Sequence, residues 1–347
     1  MQTRQPPSSP ASETLPAKAG EAMRTRRFVF CLIPDFSMIA FASSIEPLRL
    51  ANRCLGREAY AWRLLSGDGE PVRASNGAAL AADGAFGEAG APDVAIVCGG
   101  IDIERHGHRD LIAWLRRLAS FGTAIGAVCT GPYVLAQAGL LDGHLCTIHW
   151  ENDPGLRAAF PALTISQELF EIDRGRLTCA GGTAAIDMML SIITQDHGAA
   201  LAGSVTDQLI HHRMREADEH QRINVHTRQG AANPRLAGVI QRMQQTVEAP
   251  VSCAALARSA GVSVRQLERL FLRSFGVSPT RYYMGLRLDY ARRLLRQTSM
   301  PVIGVALACG FVSASHFSKS YHAHFGVAPS ADRHAATRAP ASAPARV

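Results

Sequence analysis

Short apolar runs alternate with segments of helical periodicity over residues 27–210 of this chain. Short apolar runs that end in turn residues are typical of strands buried on both faces of a sheet. The runs are FVFCLI (28–33), WRLLS (62–66), DVAIVCGG (93–100), TAIGAV (123–128), LTIS (163–166) and RLTCAGG (176–182). Helical patterns lie between them, for example over 43–52, and follow the last one over 183–196. The alternation predicts a doubly wound α/β domain with a parallel sheet and helices on both faces.

The last third of the chain has a helical pattern throughout and contains a repeat. Residues 261–279 read GVSVRQLERLFLRSFGVSP, and residues 310–329 read GFVSASHFSKSYHAHFGVAP. Each copy predicts a helix, a turn and a second helix, so 235–333 is expected to be an all-α domain with two helix-turn-helix units. Two such units on one chain can place helices in successive major grooves, which makes DNA binding the leading hypothesis.

The second helix of each unit has a set of residues expected to face DNA. Ser263 is positioned to cap the first of these helices, with Gln266 as its capping-box partner, while Leu267 and Phe271 are expected in the core. The DNA-facing residues are then Val264, Arg265, Glu268 and Arg269 in the first unit, and Ser315, His316, Ser318 and Lys319 in the second. Arginine pairs suit guanine edges, whereas serine and lysine suit phosphate or looser base contacts. The alternative for Arg269 and Lys319 is an ordinary solvated charge.

Positive charge is concentrated in this helical region. The chain has a net charge of +7, but residues 232–347 hold 15 basic and 4 acidic residues, a net of +11, while the remainder has a net of −4. A basic region beside a mildly acidic one favours a polyanionic partner. No apolar run approaches the roughly 20 residues that a membrane helix needs, so we expect a cytoplasmic, nucleoid-associated protein with no membrane partner.

The eight cysteines form no metal or redox motif. No two of them are closer than 17 residues, so the sequence has no CxxC pair and no zinc spacing. The histidines at 211, 212, 220 and 226 lack carboxylate or thiol partners at a fixed helical spacing. We therefore expect no metal site and no cofactor, and buried reduced thiols.

Composition also predicts the domain boundaries. Residues 1–25 are rich in Pro, Ser, Ala and Thr without periodicity, and we expect disorder there and in 334–347. Between these ends we expect a sheet domain over 26–211, a charged linker over 212–234 and the helical domain over 235–333.

Cys129 lies directly after the predicted strand 123–128 and before a helical run. This is a nucleophile-elbow position, where a sharp turn exposes the side chain to backbone N–H groups and a helix start lowers a thiol pKa. A cysteine hydrolase also needs a base, and His149 is the nearest candidate in the sequence. Three roles stay open for Cys129: an active nucleophile, a lining residue of a ligand site, and a small core thiol.

The helical region has a set of residues that is specific to one known family. These residues are Ala257, Gly261, Ser263, Leu267, Phe271, Gly276, Pro279, Arg287, Ala291, Leu294, Leu295, Ile303, Ala306, Gly310, Phe311, Ser315, Phe317, Phe325, Gly326 and Pro329. With them, 235–333 resembles the DNA-binding domain of the AraC/XylS regulators. One departure is Ala331–Asp332, where the family more often has an aromatic residue before its arginine.

The sheet region adds a second resemblance. Its stretches include FSMIAFASSIEPLRLANR (36–53), AVCTGPYVLAQAGLLDG (127–143), CTIHWE (146–151) and ELFEIDRGRLTCAGGTAAIDMML (168–190). A PfpI-like, glutamine-amidotransferase-like domain followed by an AraC-type domain resembles the GlxA-type regulators, and most of all their carnitine-, glycine-betaine- and arginine-responsive members. The resemblance implies a flavodoxin-like sheet domain, a homodimer, RNA polymerase as a partner, and activation of transcription by a small amino-acid or quaternary-ammonium effector.

The same resemblance bears on catalysis. Some enzymes of the superfamily place a glutamate after the first strand, and the matching residue here is Ile39, which cannot share a proton with a thiol. We therefore expect a non-catalytic sensor in which Cys129 is a vestigial elbow. The alternative is a Cys129-dependent, amidase-like hydrolase fused to a DNA-binding module.

A pocket for a cationic effector needs aromatic faces, a carboxylate and polar groups. The candidate ligand-binding residues are Asp35, Phe36, Cys129, Thr130, His149, Trp150 and Glu151. The N–H groups of Cys129 and Thr130 are expected to suit an effector carboxylate. The alternative for Phe36 and Trp150 is packing in the core.

Overall fold

A computed structural model describes residues 24–88, 90–217, 219–221 and 234–338. It forms two compact units. The first comprises the chain up to His149 together with Ala162–Glu219, and the second comprises Trp150–Pro161 together with the chain from His220 onward. None of the helices in these described ranges is long and apolar enough to cross a membrane.

The first unit is built on one large sheet and two small ones. In chain order the strands are β1 (Arg26–Leu32), β2 (Tyr60–Ser66), β3 (Val72–Arg73), β4 (Ala79–Leu80), β5 (Gly84–Ala85), β6 (Val94–Cys98), β7 (Ala124–Val128), β8 (Leu145–Cys146), β9 (Thr164–Ile165), β10 (Phe170–Asp173) and β11 (Arg176–Cys179). The large sheet has the order β10-β11-β7-β6-β1-β2-β5, and only its β10–β11 pair is antiparallel. The predicted flavodoxin-like, mostly parallel sheet is confirmed.

One strand assignment differs from the prediction. The run at 163–166 forms β9, which pairs with β8 in a separate two-stranded sheet. The edge strand next to β11 in the large sheet is β10, which the apolar pattern did not predict. In its sequence FEID, a glutamate separates the two apolar residues and an aspartate follows them. The strand therefore lacks the continuous apolar character of a central strand.

The helices of the first unit pack against the apolar faces of the large sheet. They are α1 (Met38–Leu55), α2 (Arg109–Ser120), α3 (Pro132–Gln137), α5 (Ala184–His197) and α6 (Ala199–Gln208). Helices α1, α5 and α6 contact one another and share a core with Phe28, Phe30 and Leu32 of β1. Because side chains alternate across a strand, Val29 and Cys31 of the same strand are buried on its opposite face. Burial on both faces explains why this strand reads as a continuous apolar run.

The second unit is entirely helical in its described residues. Its helices are α4 (Asp153–Ala159), α7 (Pro234–Gln245), α8 (Cys253–Ser259), α9 (Val264–Phe275), α10 (Pro279–Gln297), α11 (Val302–Ala308), α12 (Ala314–Phe325) and α13 (Pro329–Arg338). Two separate cores lie along α10, one containing Leu267 and Phe271 and the other containing Phe317 and Tyr321. Each core holds one helix-turn-helix, so the duplicated motif is confirmed as two structural units.

The predicted domain boundaries stay predictions, with three differences in the described residues. The first compact unit reaches Glu219, beyond the expected linker start at 212. Helix α13 continues to Arg338, past the expected start of the tail at 334. Arg24, expected to be disordered, donates to the Asp93 carboxylate across 2.8 Å. Most of the predicted disordered ends and of the linker, namely 1–23, 222–233 and 339–347, lies outside the described residues.

Candidate functional sites

The carboxyl ends of β1, β6 and β7 meet at one edge of the large sheet. The chain after β1 is fixed to the chain after β6, because Phe36 and Gly100 form a β-bridge and the N–H of Ser37 donates to the carbonyl of Gly99 across 3.0 Å. The Thr130 hydroxyl, after β7, donates to the Gly100 carbonyl across 2.7 Å. A β-carbon on Gly100 would overlap the Asp35 backbone, so this close approach requires glycine. The edge lies where the strand order reverses between β1 and β6, which is the usual ligand position in open α/β sheets.

Cys129 forms the predicted elbow at this edge. Its φ of 61° is in the left-handed region, which residues other than glycine seldom occupy. Its N–H donates to the Cys179 carbonyl across 3.0 Å, and its own carbonyl accepts from the His149 N–H across 3.1 Å. The single hydrogen of the Cys129 N–H is thus engaged within the protein, and the expectation that this group and the Thr130 N–H suit an effector carboxylate stays a prediction.

The thiols around Cys129 lie in an apolar environment. Cys98 and Cys179 are fully buried beside it, and burial raises the pKa of Cys98 well above its usual range and that of Cys179 to about 12. Both neighbouring sulfurs are therefore neutral thiols at physiological pH. The two sulfurs next to Cys129 therefore carry no charge.

Asp35 and Phe36 occupy different environments although they are adjacent. Asp35 is half-buried, with a φ of 59°, and its carbonyl accepts from the Ile101 N–H across 3.2 Å. Phe36 is fully buried, with its ring 5.8 Å from the Phe41 ring in a T-shaped arrangement. The structure therefore favours the core-packing alternative for Phe36, whereas Asp35 is partly exposed.

Two exposed apolar residues belong to the segments next to Asp35, one four residues further along the chain and one hydrogen-bonded to its backbone. Ile39, in the first turn of α1, is 55% exposed, and Ile101, which is hydrogen-bonded to the Asp35 backbone, is 58% exposed. From the sequence, Ile39 was evident only as a replacement for a glutamate, and Ile101 was not predicted as part of the site. No pattern could have indicated Ile101, because its exposure depends on the loop after β6 turning toward Asp35.

Trp150 and Glu151 are grouped with the second unit. The guanidinium carbon of Arg293 lies 5.9 Å from the centre of the Trp150 ring, and the Gln297 side chain donates to the Glu151 carbonyl across 2.7 Å. The structure thus brings Asp35, Phe36, Cys129, Thr130 and the His149 backbone together. It does not group Trp150 and Glu151 with them. The ligand-binding roles of all seven residues stay predictions.

The first recognition helix, α9, begins with the predicted capping box. The Ser263 hydroxyl accepts from the Gln266 N–H across 3.2 Å, and the Gln266 side-chain oxygen accepts from the Ser263 N–H across 2.8 Å. This reciprocal pair satisfies two backbone donors that the helix itself leaves open. Gly276, with a φ of 69°, ends the helix in the left-handed conformation.

The outward face of α9 is the one the sequence predicted. Leu267 and Phe271 are buried. The four candidate DNA-facing residues, Val264, Arg265, Glu268 and Arg269, are all exposed. The arginines are four residues apart, so they lie on the same face of the helix. A capped, rigid helix therefore presents two guanidinium groups and a carboxylate to solvent.

The second recognition helix, α12, repeats this design with different chemistry. Ser313 caps it by accepting from the His316 N–H across 3.2 Å, and Phe317 and Tyr321 are buried. Of the candidate DNA-facing residues, Ser315, His316 and Lys319 are exposed, and Ser318 is half-buried. The His316 ring lies 5.6 Å from the Phe311 ring.

The buried carboxylate of Asp332, in α13, is hydrogen-bonded to two other helices of the second unit. Its carboxylate is 3% exposed and accepts from the Tyr321 hydroxyl across 2.6 Å, from Arg292 across 2.8 Å and from Arg296 across 2.7 Å. Burial alone would raise the pKa of Asp332, but the hydrogen bonds from Tyr321 and the two arginines outweigh it, so the pKa lies below its usual value. The position at which the chain departs from the family pattern therefore connects α10, α12 and α13.

The described residues contain no group of three or more His, Cys, Asp or Glu side chains arranged to hold a metal ion. The histidines at 211, 212 and 220 lie in this part of the chain, whereas the one at 226 lies outside it.

The chain matches two protein families over separate ranges. Residues 27–195 match the DJ-1/PfpI family, and residues 256–335 match a family described as a helix-turn-helix domain. The first range covers the large sheet with α1 to α4 and most of α5. The second covers both recognition helices.

Relatives with both parts are similar over most of their length. The HTH-type transcriptional regulator CdhR of Pseudomonas aeruginosa is 46% identical over 318 residues, which are 91% of this chain and 94% of CdhR. The HTH-type transcriptional regulator GbdR of the same species is 45% identical over 304 residues, which are 88% of this chain and 83% of GbdR. A crystal structure of an AraC family transcriptional regulator from Pseudomonas putida is 31% identical, with a TM-score of 0.50, and covers 53% of this chain and 99% of that chain.

Proposed function

Because the chain belongs to the family of HTH-type transcriptional regulators that join a DJ-1/PfpI domain to a helix-turn-helix domain, we propose that it couples promoter binding to a small effector. The observation that carries this proposal is the pair of Ser-capped helices, α9 and α12, with basic residues exposed on each. We assign base reading to Arg265 and Arg269 and phosphate contact to Lys319. The net charge of +11 over residues 232–347 supplies the attraction to DNA.

The effector we propose is a small methylated amine or an amino acid, bound at the edge of the large sheet beside Asp35. A partly exposed aspartate with the exposed apolar residues Ile39 and Ile101 on the neighbouring segments supports a cation that carries methyl groups. We propose further that the protein acts as a homodimeric activator on the bacterial nucleoid and recruits RNA polymerase, as the GlxA-type resemblance implies. None of these steps requires chemistry on the effector.

A second candidate function is hydrolysis at Cys129. The observation in its favour is the elbow geometry, because a φ of 61° at a strand end is how α/β hydrolases expose their nucleophile. Against it, Ile39, which cannot share a proton with a thiol, stands at the position where some enzymes of the superfamily that the sheet domain resembles carry a glutamate. We therefore propose that the sheet unit is a non-catalytic sensor.

The test is thermal unfolding of the full chain with glycine betaine, carnitine, sarcosine, choline and arginine, followed by operator binding with any ligand that stabilises it. A ligand at 100 times its dissociation constant adds roughly 2.7 kcal/mol to the free energy of unfolding. We expect one saturable stabilisation that also changes operator affinity. Absence of any effect across the set would rule out this class of effector.

A charge-removing variant locates the binding site. Asp35→Asn deletes the carboxylate charge while keeping a residue that tolerates a positive φ. It should abolish the stabilisation, whereas Asp142→Asn, a change at an exposed aspartate elsewhere in the first unit, should leave it intact. Equal stabilisation of both variants would place the effector elsewhere.

A further inference from the structure

Helix α5 contains a completely buried carboxylate that belongs to neither candidate site. The Asp187 side chain is 0% exposed. It accepts from the Arg215 backbone N–H across 2.7 Å, from the Arg215 Nε across 2.9 Å, and is 3.1 Å from the His211 Nε2. Burying a charge is unfavourable unless partners surround it. All three of these partner atoms belong to the chain that follows α6.

These partners belong to a segment that we call the strap, namely residues 211–217 and 219. The strap is internally bonded, because Arg213 and Glu219 form a bidentate ion pair of 2.5 and 2.8 Å. Its far end is fixed to the edge of the sheet, where the Leu169 N–H donates to the carbonyls of Ala217 and Glu219 across 3.3 and 3.0 Å. Residues 212–217 and 219 were expected at the start of a charged linker, but they belong to the first compact unit.

The strap also reaches the turn that supports Cys129. This turn, 180–183, connects the end of β11 to the start of α5. On one side a β-carbon on Gly181 would lie 2.8 Å from the Cα and Cβ of Cys129, so the turn is pressed against the elbow. On the other side Arg215 donates to the Thr183 hydroxyl across 3.0 Å.

A second connection joins the same turn to the far end of the strap. The Ala180 N–H donates to the Leu169 carbonyl across 2.9 Å, and the Leu169 N–H is the group that holds Ala217 and Glu219. Both ends of the strap therefore depend on the position of the turn at 180–183. That turn lies between the strap and Cys129, and the Cys129 N–H is bonded to Cys179 immediately before it.

We propose that Asp187 is a positioning residue that holds the strap next to the turn at 180–183, which packs against Cys129. A ligand bound beside Cys129 then shifts this turn and loosens the strap. The strap directly precedes the chain that leads to the DNA-binding helices, so its release transmits effector binding to operator affinity. This inference rests on the proposed function for its effector, but the coupling between Cys129 and the strap is a property of the first unit alone. A ligand acts through such a device only if it prefers one of the two strap states.

The first test needs no effector. In a Cys54→Ser, Cys253→Ser background of the full chain, Cys129 is the one cysteine of the described residues that is not buried, and iodoacetamide can add an occupant there. Hydrogen exchange of the strap amides, including that of Arg215, is then measured before and after alkylation. We expect roughly tenfold faster exchange in the strap and no change in α2.

The matched control is the Cys129→Ser, Cys253→Ser protein alkylated at the exposed Cys54. It should show no change in the strap. Unchanged strap exchange in the protein alkylated at Cys129, at complete alkylation, would overturn the proposal whatever the effector proves to be.

The second test uses the double variant Asp187→Asn/Arg215→Met, which removes both charges and leaves no buried carboxylate unpaired. Operator affinity and glycine-betaine stabilisation are measured for it and for the control Glu46→Gln/Arg49→Met, which removes an exposed ion pair of α1. The double variant should keep its ligand stabilisation, but the ratio of operator affinities with and without glycine betaine should fall to about one. The control should keep the wild-type ratio.

The outcomes separate the two proposals. A wild-type ratio in the double variant would contradict the role of Asp187. If glycine betaine has no effect on the wild-type protein, glycine betaine is not the effector, and the alkylation experiment alone decides whether the strap responds to the Cys129 site.

Discussion

The backbone N–H of Cys129 donates to the carbonyl of Cys179 across 3.0 Å, joining the elbow after β7 to the last residue of β11. This bond holds Cys129 in its left-handed conformation and engages its N–H within the protein. It also places the elbow immediately next to the turn at 180–183. The backbone of the elbow is therefore part of the hydrogen-bonded edge of the sheet.

Replacing the Cys129 thiol should leave regulation intact. Cys129→Ser is nearly isosteric and keeps the backbone bond to Cys179, so we expect effector-dependent expression from the target promoter to stay within about twofold of the wild type, because a conservative change outside catalysis has a small effect. A promoter-reporter assay measures this. Loss of the response, together with loss of amide-hydrolysing activity, would favour the enzyme alternative instead.

Removing the Ser263 cap should weaken the first helix-turn-helix. Ser263→Ala deletes one half of the capping box, and loss of such a cap costs about 1 kcal/mol of stability. Thermal unfolding of the full chain detects this as a lower midpoint for the helical unit. Ser263→Thr should restore most of the loss because threonine can accept the same bond, and a Thr variant as unstable as the Ala variant would contradict the capping role.

Asp332→Asn should destabilise the second helix-turn-helix at neutral pH by about 2 kcal/mol, since hydrogen bonds to a charged group are the stronger ones. The pKa of Asp332 is lower in the folded state, so its charge stabilises the protein above the unfolded value of about 4. That stabilisation is lost as pH falls through the folded pKa. Urea unfolding at pH 7 and at pH 3 measures both effects. The difference between wild type and variant should shrink at the lower pH, and a constant difference would show that the charge is not responsible.

For Glu171 we expect the stability of the protein to change with pH in the direction opposite to that for Asp332. Burial is the largest cause that raises the pKa of this β10 carboxyl to about 7, and its Oε1 is one of the buried oxygens that lack a hydrogen-bond partner among the described residues. The folded state therefore holds a proton that the unfolded state releases above about pH 4.5, so stability falls as pH rises from there through 7.

The corresponding variant is Glu171→Gln, which cannot ionise. At pH 8 it should be more stable than the wild type by up to about 3 kcal/mol, from roughly 1.4 kcal/mol for each unit of pKa shift. At pH 5 the two proteins should differ little. Glu70→Gln, at an exposed glutamate, serves as the control and should show no such pH-dependent gain.

The sequence predicted the elements whose patterns depend on burial alone. Strand β1 ends in five successive apolar residues because both its faces are covered, and the duplicated helix-turn-helix was evident because Leu267 and Phe317 occupy matching core positions. Edge strand β10 was missed because the charged residues in its FEID sequence conceal it. Long-range polar contacts were equally hidden, since nothing in the sequence connects Asp187 with Arg215 or Asp332 with Tyr321.

The candidate ligand site shows the same limit. The elbow at Cys129 follows from its place between a strand and a helix, so it could be predicted. The burial of Phe36 and the grouping of Trp150 with the C-terminal helices could not, because each depends on how a loop turns after a strand. Exposed Ile101 lies in a loop without periodicity, so no sequence pattern indicated it.

Operator binding shows whether this protein reads a DNA sequence. A duplex selected from random sequence by the full chain is compared with a scrambled duplex, over a range of salt concentrations, by fluorescence anisotropy. Arg269→Ala should cost about 1–3 kcal/mol and relax the preference at one base, whereas Lys319→Ala should weaken all duplexes alike and reduce the salt slope by about 1. Arg273→Ala, in the last turn of α9, should have little effect. Equal affinity of the wild-type protein for selected and scrambled duplexes would contradict the account of a sequence-reading regulator.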